Sequence, residues 1–317
     1  MNKICFGCGA KLQTEDKTKE GYIPKEKIDN SNYCQRCFRI THYGDKLNAG
    51  VPKSVESIIN NVNKKANFVL FLIDFVSLNE EVINIFKRIN KNKMLLINKS
   101  DIIPKSVVFE HLVSRIKSVY NIQEDVKIIS GNSGYGVNAL INYLYYKNIK
   151  EVYILGETNA GKSTLINKMM DLLDSNLNRI TTSKLANTTL DFIRLNLSDS
   201  LTVIDSPGFV IGENENNGKL INPKVYQMKK GESLKISDYY FNFNEDTSVI
   251  IYTNSLLDIS KYYKDFKVEE NFNINDNSDL IIRGLLFLNI KNKCTVKTNV
   301  KREKIEIRES IFGGKNE

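Results

Sequence analysis

The sequence predicts an α/β protein whose central sheet is mostly parallel and covered by helices on both faces. Short apolar runs alternate with helix-like segments from about residue 67 to residue 206, as expected for strands buried on both faces. Two Cys-x-x-Cys pairs precede this region, and β-prone runs without intervening helices follow it. Three parts are therefore expected, covering residues 1–46, 47–213 and 214–317.

The central region supplies the elements of this sheet in regular order. The predicted strands are NFVLFLIDF, KMLLIN, VKIIS, EVYILG, FIRLNL and LTVIDS. Helices are expected near residues 78–90, 105–120 and 136–148, and again after Lys162. The segment VIGENENNGKL then indicates a loop. The later runs SVIIYTN, DLIIRGLLFLNI and KIEIRES predict a small β-rich domain.

Composition narrows the possible classes of protein. The net charge of +8 favours an anionic partner such as RNA. No apolar run approaches the roughly 20 residues needed to cross a bilayer, and the N-terminus lacks a signal-peptide pattern. The five cysteines, an odd number, fit a reducing compartment. We therefore expect a cytoplasmic protein without a membrane partner.

A glycine-rich loop follows the predicted strand EVYIL. Its pattern is Gly156-x-x-x-x-Gly161-Lys162-Ser163, and a helical pattern begins directly after it. Such glycines let backbone N–H groups surround phosphates, and the helix N-terminus adds positive potential. Lys162 is then expected to reach the β- and γ-phosphates and Ser163 to bind Mg²⁺. The alternative is a chance glycine-rich turn. The predicted nucleotide contacts are Gly156, Thr158, Asn159, Ala160, Gly161, Lys162, Ser163 and Thr164.

The strand LTVIDS ends in a second motif, Asp205-x-x-Gly208. Asp205 is expected to hold Mg²⁺ through water, and the Gly208 amide to sense the γ-phosphate. Between the two motifs, LANTTLDFI fits a first switch segment. There Thr189 is favoured as a Mg²⁺ ligand, with Thr188 as the alternative. The predicted catalytic residues are Lys162, Asn159, Thr189 and Gly208.

A guanine-binding pattern, Asn98-Lys99-Ser100-Asp101, ends the strand KMLLI. A carboxylate at Asp101 accepts from both N1–H and the exocyclic amine of guanine, and adenine has no such pair of donors. GTP is therefore favoured over ATP. Asn98 is expected to bond the base and Lys99 to lie over base and ribose. A helix N-cap at Ser100 or Asp101 is the alternative.

The strand VKIIS places Ser130-Gly131 where a backbone amide is expected to reach guanine O6. Glycine stands here where G-domains usually have alanine. The guanine motif therefore precedes the phosphate loop, whereas the usual G-domain has the opposite order. Loops need only meet at the carboxyl ends of strands, so joining the usual termini and cutting after Asp-x-x-Gly produces this order. The sequence predicts a circularly permuted P-loop G-domain.

The N-terminal cysteines form a candidate metal site. Cys5, Cys8, Cys34 and Cys37 supply four thiolates from two short turns, a set suited to tetrahedral Zn²⁺. Reversible disulfide chemistry is the alternative. A segment this poor in apolar residues is expected to gain its fold from the metal. Cys294 is predicted to be a buried small hydrophobe.

Four stretches resemble the YqeH family of circularly permuted GTPases: CFGCGAKLQTEDKTKEGY, CQRCFRITHY, NKSDIIPKSV and NTTLDFI. The resemblance covers nearly the whole chain and weakens after about residue 225. It implies a bacterial GTPase acting in assembly of the small (30S) ribosomal subunit, with a zinc-bearing N-terminus. It also implies that Asn159 helps to hold K⁺ beside the phosphates, with a plain turn residue as the alternative. Ala186-Asn187 departs from the family's usual Pro-Gly.

Two further features bear on activity. Phe209 follows Gly208 where Ras-like enzymes have a water-orienting glutamine, so slow intrinsic hydrolysis is expected. Basic residues within 283–308 suggest a sheet face that follows RNA phosphates, solvated strand edges being the alternative. The function expected is a monomeric, K⁺-stimulated GTPase that contacts ribosomal RNA or the 30S precursor through its zinc and C-terminal domains. The alternative is an RNA-binding scaffold that holds GTP or GDP without significant turnover.

Overall fold

The computed structural model describes residues 3–5, 10–16, 21–28, 31–35, 54–173, 192–211 and 219–313. The predicted switch threonines and two of the four N-terminal cysteines lie outside these ranges: Thr188, Thr189, Cys8 and Cys37. The chain divides into two compact units that do not follow chain order. The first comprises residues 1–72, 89–93 and 129–209, and the second comprises residues 73–88, 94–128 and 210–317.

The helices lie between residues 55 and 172 of the part that the structure describes. They are α1 (Val55–Lys65), α2 (Glu80–Lys87), α3 (Phe109–Tyr120), α4 (Val137–Tyr146) and α5 (Lys162–Leu172). Side chains cap the first two, because Ser54 Oγ accepts from the Ser57 amide at 3.2 Å and Asn79 Oδ1 accepts from the Val82 amide at 3.0 Å. Sequence reasoning anticipated all but α1.

The first sheet has six strands in the order β3-β2-β1-β4-β6-β5. They are β1 (Phe68–Asp74), β2 (Asn92–Asn98), β3 (Asp125–Ile128), β4 (Glu151–Gly156), β5 (Ile193–Ser198) and β6 (Leu201–Asp205). The pairs β2–β3, β1–β4 and β4–β6 are parallel, and only the β5–β6 pair among those registered is antiparallel. The mostly parallel sheet predicted from the apolar runs is confirmed.

Gly156, the last residue of β4, lies against the neighbouring strand. It pairs with Leu72 of β1, and a Cβ at Gly156 would lie 2.2 Å from the Leu72 carbonyl oxygen. Any side chain would therefore push β1 and the start of the glycine-rich loop apart. The first glycine of the motif is required by this close approach of two backbones.

The C-terminal region forms two five-stranded antiparallel sheets, in the orders β16-β13-β14-β10-β7 and β11-β8-β9-β15-β12. Their strands are β7 (Lys224–Met228), β8 (Glu232–Ile236), β9 (Tyr239–Phe243), β10 (Thr247–Tyr252), β11 (Ile259–Tyr262), β12 (Glu270–Ile274), β13 (Ser278–Ile282), β14 (Leu286–Ile290), β15 (Cys294–Thr298) and β16 (Ile305–Glu309). Both sheets contribute to one apolar core. The β-rich character expected from sequence is observed.

The run DLIIRGLLFLNI is a hairpin and not one strand. It forms β13 and β14, and the turn between them contains Gly284 with φ of +73°. Glycine adopts this left-handed conformation without the steric cost that other residues incur. No helix in the described part of the chain is long and apolar enough to cross a membrane.

Candidate functional site: a phosphate loop and a guanine motif

The glycine-rich loop joins β4 to α5 in the first unit. Asn159 and Gly161 both have positive φ, +67° and +96°, so the loop turns sharply before Lys162 begins the helix. Glycine tolerates this conformation, and asparagine tolerates it better than most other residues do. Gly161 has no side chain with which to cap α5. The N–H groups of its first turn are therefore suited to an anion.

The Lys162 side chain folds back onto this loop. Lys162 is only 9% exposed, and its Nζ donates to the carbonyl oxygens of Gly156 at 2.9 Å and Glu157 at 3.0 Å. Burial lowers the pKa of Lys162, and the negative charges of Asp205 and Glu157 oppose this fall. The ammonium is thus held beside the backbone that is expected to surround a phosphate.

Asp205 brings a second buried charge to the same place. It ends β6 in register with Ile154 of β4 and is 1% exposed. Burial raises the pKa of Asp205 to about 6, and the nearby Lys162 ammonium limits the rise. Asp205 Oδ1 and Thr158 Oγ1 are buried without a hydrogen-bond partner in the described structure. These unpaired oxygens fit a bound Mg²⁺ and phosphate, which would supply their missing partners.

Gly208 lies directly against the loop. A Cβ at this position would lie 2.8 Å from Thr158 Oγ1 and 3.2 Å from Lys162 Nζ. Asp205 follows Gly156 by 49 positions in the sequence, and the parallel pairing of β4 with β6 brings the ends of the two strands together. The structure thus brings together Lys162, Asp205 and Gly208, as predicted.

Phe209 is a core residue. It is 3% exposed, its ring centroid lies 5.9 Å from that of Phe71, and its carbonyl oxygen accepts from the Thr158 amide at 2.8 Å. An apolar side chain fixed in this way has no group with which to orient water. The position where Ras-like enzymes have glutamine therefore serves packing here.

Ser130 and Gly131 form a closed turn next to α5. Ser130 is fully buried, its Oγ accepts from the Ser133 amide at 3.0 Å, and its carbonyl oxygen accepts from the Gly134 amide at 2.8 Å. A Cβ at Gly131 would lie 3.1 Å from the Leu165 amide nitrogen. This tight approach to α5 gives a physical reason for glycine where G-domains usually have alanine.

The guanine motif belongs to the second unit. Asn98 ends β2 and is 2% exposed, Lys99 has a left-handed φ of +62°, and Ser100–Ile102 form a 3₁₀ turn in which Asp101 is exposed. The alternative of a helix N-cap at Ser100 or Asp101 is wrong, because both lie inside the turn and its N-cap residue is Lys99.

Sequence reasoning missed Asp74. Its Oδ2 accepts from Lys99 Nζ at 3.2 Å, and its Oδ1 accepts from the amides of Val76 and Ser77 at 2.9 Å each. Asp74 is 2% exposed, and it both closes a 3₁₀ turn and holds the lysine of the guanine motif. The sequence did contain a signal, because Asp74 ends an otherwise apolar strand. Buried carboxylates are normally paired, so a basic or hydrogen-bonding partner could have been expected for Asp74.

The N-terminal cysteines are partly described. Cys5 and Cys34 are both buried, and the Cys34 amide donates to Cys5 Sγ at 3.1 Å. No cluster of three or more histidine, cysteine, aspartate or glutamate side chains suited to a metal occurs among the described residues. Cys294 is buried in the C-terminal core, and burial raises its pKa to about 12, so its prediction as a small hydrophobe is confirmed.

Replacing Asp205 by asparagine tests the cost of its burial. The pKa of Asp205 is higher in the folded protein than in the unfolded chain, so ionisation of this carboxyl opposes folding, with its full effect above about pH 6. Asp205→Asn removes this cost, which lowers the free energy of unfolding by on the order of 2 kcal/mol. We expect a higher Tm without nucleotide at pH 8 and weaker Mg²⁺-dependent nucleotide binding. Thermal melts and titrations measure both. Asp199→Asn, at an exposed turn, is the control, and a lower Tm for Asp205→Asn would contradict the assignment.

Two protein-family models match the chain. The one described as "RsgA GTPase" matches residues 52–213, and the one described as "50S ribosome-binding GTPase" matches residues 151–307. The first covers just over half of the 317 residues. Both matches include the phosphate loop and the Asp205 motif.

Curated relatives agree with these models. YqeH of Bacillus subtilis is 34% identical over 236 residues, covering 70% of this chain and 64% of YqeH. Nitric oxide-associated protein 1 of Homo sapiens is 26% identical over 220 residues, covering 53% of this chain and 32% of that protein. The chain thus spans less than two thirds of the length of either relative.

Among solved structures, GNP-bound YlqF from T. maritima is 20% identical with a TM-score of 0.32, covering 49% of this chain and 57% of that one. A TM-score this low supports no conclusion by itself. The similarity to YqeH confirms the resemblance stated from the cysteine, guanine and switch motifs. On the extent of the family-model match, the chain belongs to the RsgA GTPase family.

Proposed function

We propose that the protein binds GTP and hydrolyses it as a switch in assembly of the small ribosomal subunit. The observation that carries the proposal is the buried pair Lys162 and Asp205 beside a glycine-rich loop, with two unpaired oxygens that a Mg²⁺-bound phosphate would satisfy. Family membership supports GTP as the nucleotide. A cytoplasmic, monomeric protein is proposed on the sequence pattern.

The choice of subunit rests on the YqeH resemblance. One matching family model is described by binding to the 50S subunit, whereas the resemblance to the YqeH family implies the small subunit. Co-sedimentation with isolated 30S and 50S subunits in the presence of a GTP analogue separates these two partners. Retention on the 50S subunit alone would overturn the small-subunit proposal.

In the proposed mechanism, Lys162 Nζ exchanges its two carbonyl partners for β- and γ-phosphate oxygens. The backbone N–H groups from Thr158 to Thr164 surround the phosphates, and Gly208 senses the terminal one. Ser163, Asp205 and, beyond the described residues, Thr189 would hold Mg²⁺. Bound Mg²⁺ would neutralise charge that develops on the phosphate oxygens.

The same proposal assigns the base to residues 98–101. Asp101 accepts from guanine N1–H and the exocyclic amine, Asn98 bonds the base, and Lys99 lies over base and ribose. A Ser130-Gly131 amide bonds guanine O6. This assignment explains why Asp101 is exposed in the 3₁₀ turn that follows β2 and is not buried in the core.

Changing Asp101 to asparagine tests base recognition. Xanthine has a carbonyl group where guanine has the exocyclic amine, so an amide at this position can donate where the carboxylate accepts. We expect Asp101→Asn to lose GDP affinity by at least roughly tenfold and to gain affinity for xanthosine diphosphate. Equilibrium titrations with both nucleotides measure this. Asp125→Asn, at the start of β3, is the control, and unchanged preference in Asp101→Asn would refute the assignment.

Hydrolysis requires a source of charge stabilisation other than residue 209. We propose K⁺, held by Asn159, whose left-handed backbone lies at the bend of the phosphate loop. The rival proposal is a scaffold that binds GTP without significant turnover, and the buried Phe209 ring favours it. Turnover in the presence of 30S subunits distinguishes the two.

Phosphate release from GTP in K⁺ and in Na⁺ buffers tests the cation. We expect faster release in K⁺, on the order of tenfold or more, because a fixed cation beside the phosphates acts as an arginine finger does. Asn159→Ala should abolish the difference while leaving GDP binding largely intact. Equal rates of phosphate release by the wild-type protein in the two buffers would refute the role of K⁺. No release in either buffer with 30S subunits present would favour the scaffold.

The N-terminal segment is proposed to bind structural Zn²⁺ through Cys5, Cys8, Cys34 and Cys37. The described residues fit this role, since the Cys34 amide donates to the buried Cys5 sulfur as expected for a stabilised thiolate. Elemental analysis should find one zinc per chain, lost in Cys5→Ser, with Cys294→Ser as the matched control. Equal zinc content in both variants would count against the site.

RNA contact is proposed for the C-terminal domain, on a different surface from the one that sequence predicted. The expected basic face over residues 283–308 is wrong for Arg308, which is buried and paired with Asp279 at 2.9 Å. Arg302 is engaged too, since its Nε lies 3.6 Å from Glu270. Arg308 is therefore not free to follow a phosphate backbone, and Arg302 already has a carboxylate partner.

A better surface is what we call the aromatic–lysine face, formed by Lys235, Tyr240, Tyr262, Lys264 and Phe266. The Phe266 ring lies 4.3 Å from Tyr240 and 5.2 Å from Tyr262, between ring centroids. Lys235 lies 5.5 Å from the Tyr240 ring and Lys264 lies 5.3 Å from the Phe266 ring. Rings and ammonium groups in this mixture suit single-stranded RNA, whose bases stack while its phosphates attract lysine.

Tyr240→Ala tests this face. Loss of one stacking ring is worth about 1–3 kcal/mol per base, so we expect roughly tenfold weaker binding of a single-stranded ribosomal RNA fragment. Fluorescence anisotropy over a salt series measures it. Tyr146→Ala removes an exposed ring that also lies near a lysine but belongs to α4, outside this face, and serves as the control. Equal losses in the two variants would refute the face.

A further inference from the structure

Strand β16 of the C-terminal domain carries two buried charged side chains, Glu306 and Arg308. They are 9% and 7% exposed. Charged groups at this depth are uncommon unless they are paired or hydrogen-bonded. Their partners lie largely in segments that flank the guanine motif along the chain, and all of these residues belong to the second unit.

Arg308 connects three elements. Its Nη1 donates to the Leu78 carbonyl oxygen at 2.7 Å and to the hydroxyl of Tyr120 at the end of α3, and its Nε donates to Asp279 Oδ2 of β13 at 2.9 Å. The Tyr120 hydroxyl in turn lies 3.3 Å from the same Leu78 carbonyl oxygen. The Leu78 carbonyl oxygen, just before α2, therefore accepts hydrogen bonds from both Arg308 and the Tyr120 hydroxyl.

Glu306 fixes the start of α2. Both of its carboxylate oxygens accept from the Glu80 amide, at 3.1 and 2.9 Å. A carboxylate at a helix N-terminus satisfies an unpaired N–H group and interacts favourably with the helix dipole. Residues 78 and 80 are thus both anchored to the same strand of the C-terminal domain.

Phe75, which precedes Leu78 in the chain, makes apolar contacts with the same domain. It is fully buried, and its ring centroid lies 5.7 Å from that of Tyr252 and 5.8 Å from those of Phe287 and Phe312. Edge-to-face contacts of this kind fix the position of a ring. All three partner rings come from the C-terminal domain.

Phe75 directly follows Asp74, whose carboxylate bonds Lys99 Nζ at 3.2 Å. Residues 74–80, here called the anchor segment, therefore touch the C-terminal domain at positions 75, 78 and 80 and touch the guanine motif at position 74. A shift of the anchor segment moves Asp74, and with it the ammonium group that Asp74 holds.

We infer that the C-terminal domain positions Lys99 for guanine recognition, with Arg308 and Phe75 as positioning residues that act through Asp74. The inference rests on the proposed role of residues 98–101 in base binding. It makes the domain part of the nucleotide-specificity apparatus, in addition to any contact it makes with RNA. Arg308 has no contact with the nucleotide in this scheme.

The test compares GDP and ADP affinities of the full chain. Arg308→Met is combined with Asp279→Asn so that no unpaired carboxylate remains buried. Arg302→Met is the control, because Arg302 also pairs with a carboxylate of this domain, that of Glu270, but precedes β16, the strand that contacts residues 78 and 80. We expect GDP affinity to fall roughly tenfold in the first variant and to remain unchanged in the control. Titrations are run well below each Tm.

Phe75→Leu is a second variant that keeps every buried charge. It should weaken GDP binding in the same direction, so the inference remains testable if the Arg308 variant does not fold. A purely structural role would lower Tm and leave the Kd for GDP of the folded protein unchanged. That outcome in both variants would overturn the inference.

A double-mutant cycle with Lys99→Met identifies the route of the effect. If Arg308 acts through Lys99, the loss of GDP affinity caused by the Arg308 variant should disappear in the Lys99→Met background. An undiminished loss there would overturn the inference. A wild-type protein without preference for GDP over ADP would instead refute the proposed function, so the two failures are distinguishable.

Discussion

The structure of the phosphate-binding region depends on two opposite charges buried close together, on Lys162 and Asp205. Each charge is unfavourable by itself at this depth, and each reduces the cost of the other. Lys162 is satisfied by backbone carbonyl groups, whereas one oxygen of Asp205 has no partner within the described residues. The fold therefore leaves buried polar groups beside the glycine-rich loop whose bonding is incomplete, and an anionic ligand with a metal would complete it.

The glycines of this region have separate structural reasons. Gly156 allows two strands to approach, Gly161 takes a left-handed conformation before α5, and Gly208 leaves space for Thr158 and Lys162. Larger residues at these positions would displace the backbone or the ammonium group. Each of these glycines is therefore required for a different steric reason, although all three belong to recognisable nucleotide-binding motifs.

Within the second unit, the C-terminal domain is held to residues 75–80 and to Tyr120 partly by charged groups that are costly to bury. The Arg308–Asp279 pair and the Glu306 carboxylate lie in or near the apolar core, where replacement of a buried ion pair by apolar residues is often neutral or stabilising. These charged groups therefore contribute more to the precise position of the backbone than to the free energy of unfolding. They fix particular backbone groups at Leu78 and Glu80, next to the turn that holds Lys99.

Much of the first sheet was predictable because parallel strands buried on both faces read as unbroken apolar runs. The C-terminal strands β7, β8, β9, β11, β12 and β15 were missed, because these short antiparallel strands interrupt their apolar residues with polar ones such as Lys, Asn, Ser and Tyr. The aromatic–lysine face could not be predicted from the sequence either. Its rings come from separate strands and a loop, and only pairing in space brings them together.

The sequence by itself determined the phosphate loop, the guanine motif, their inverted order and the family, because these features require particular residue types at short, fixed spacings. Only the tertiary structure decided which charges are buried, which arginines are paired, and how Asp74 reaches Lys99. Those properties depend on contacts between residues far apart in the chain, such as positions 78 and 308, and no local pattern specifies such contacts.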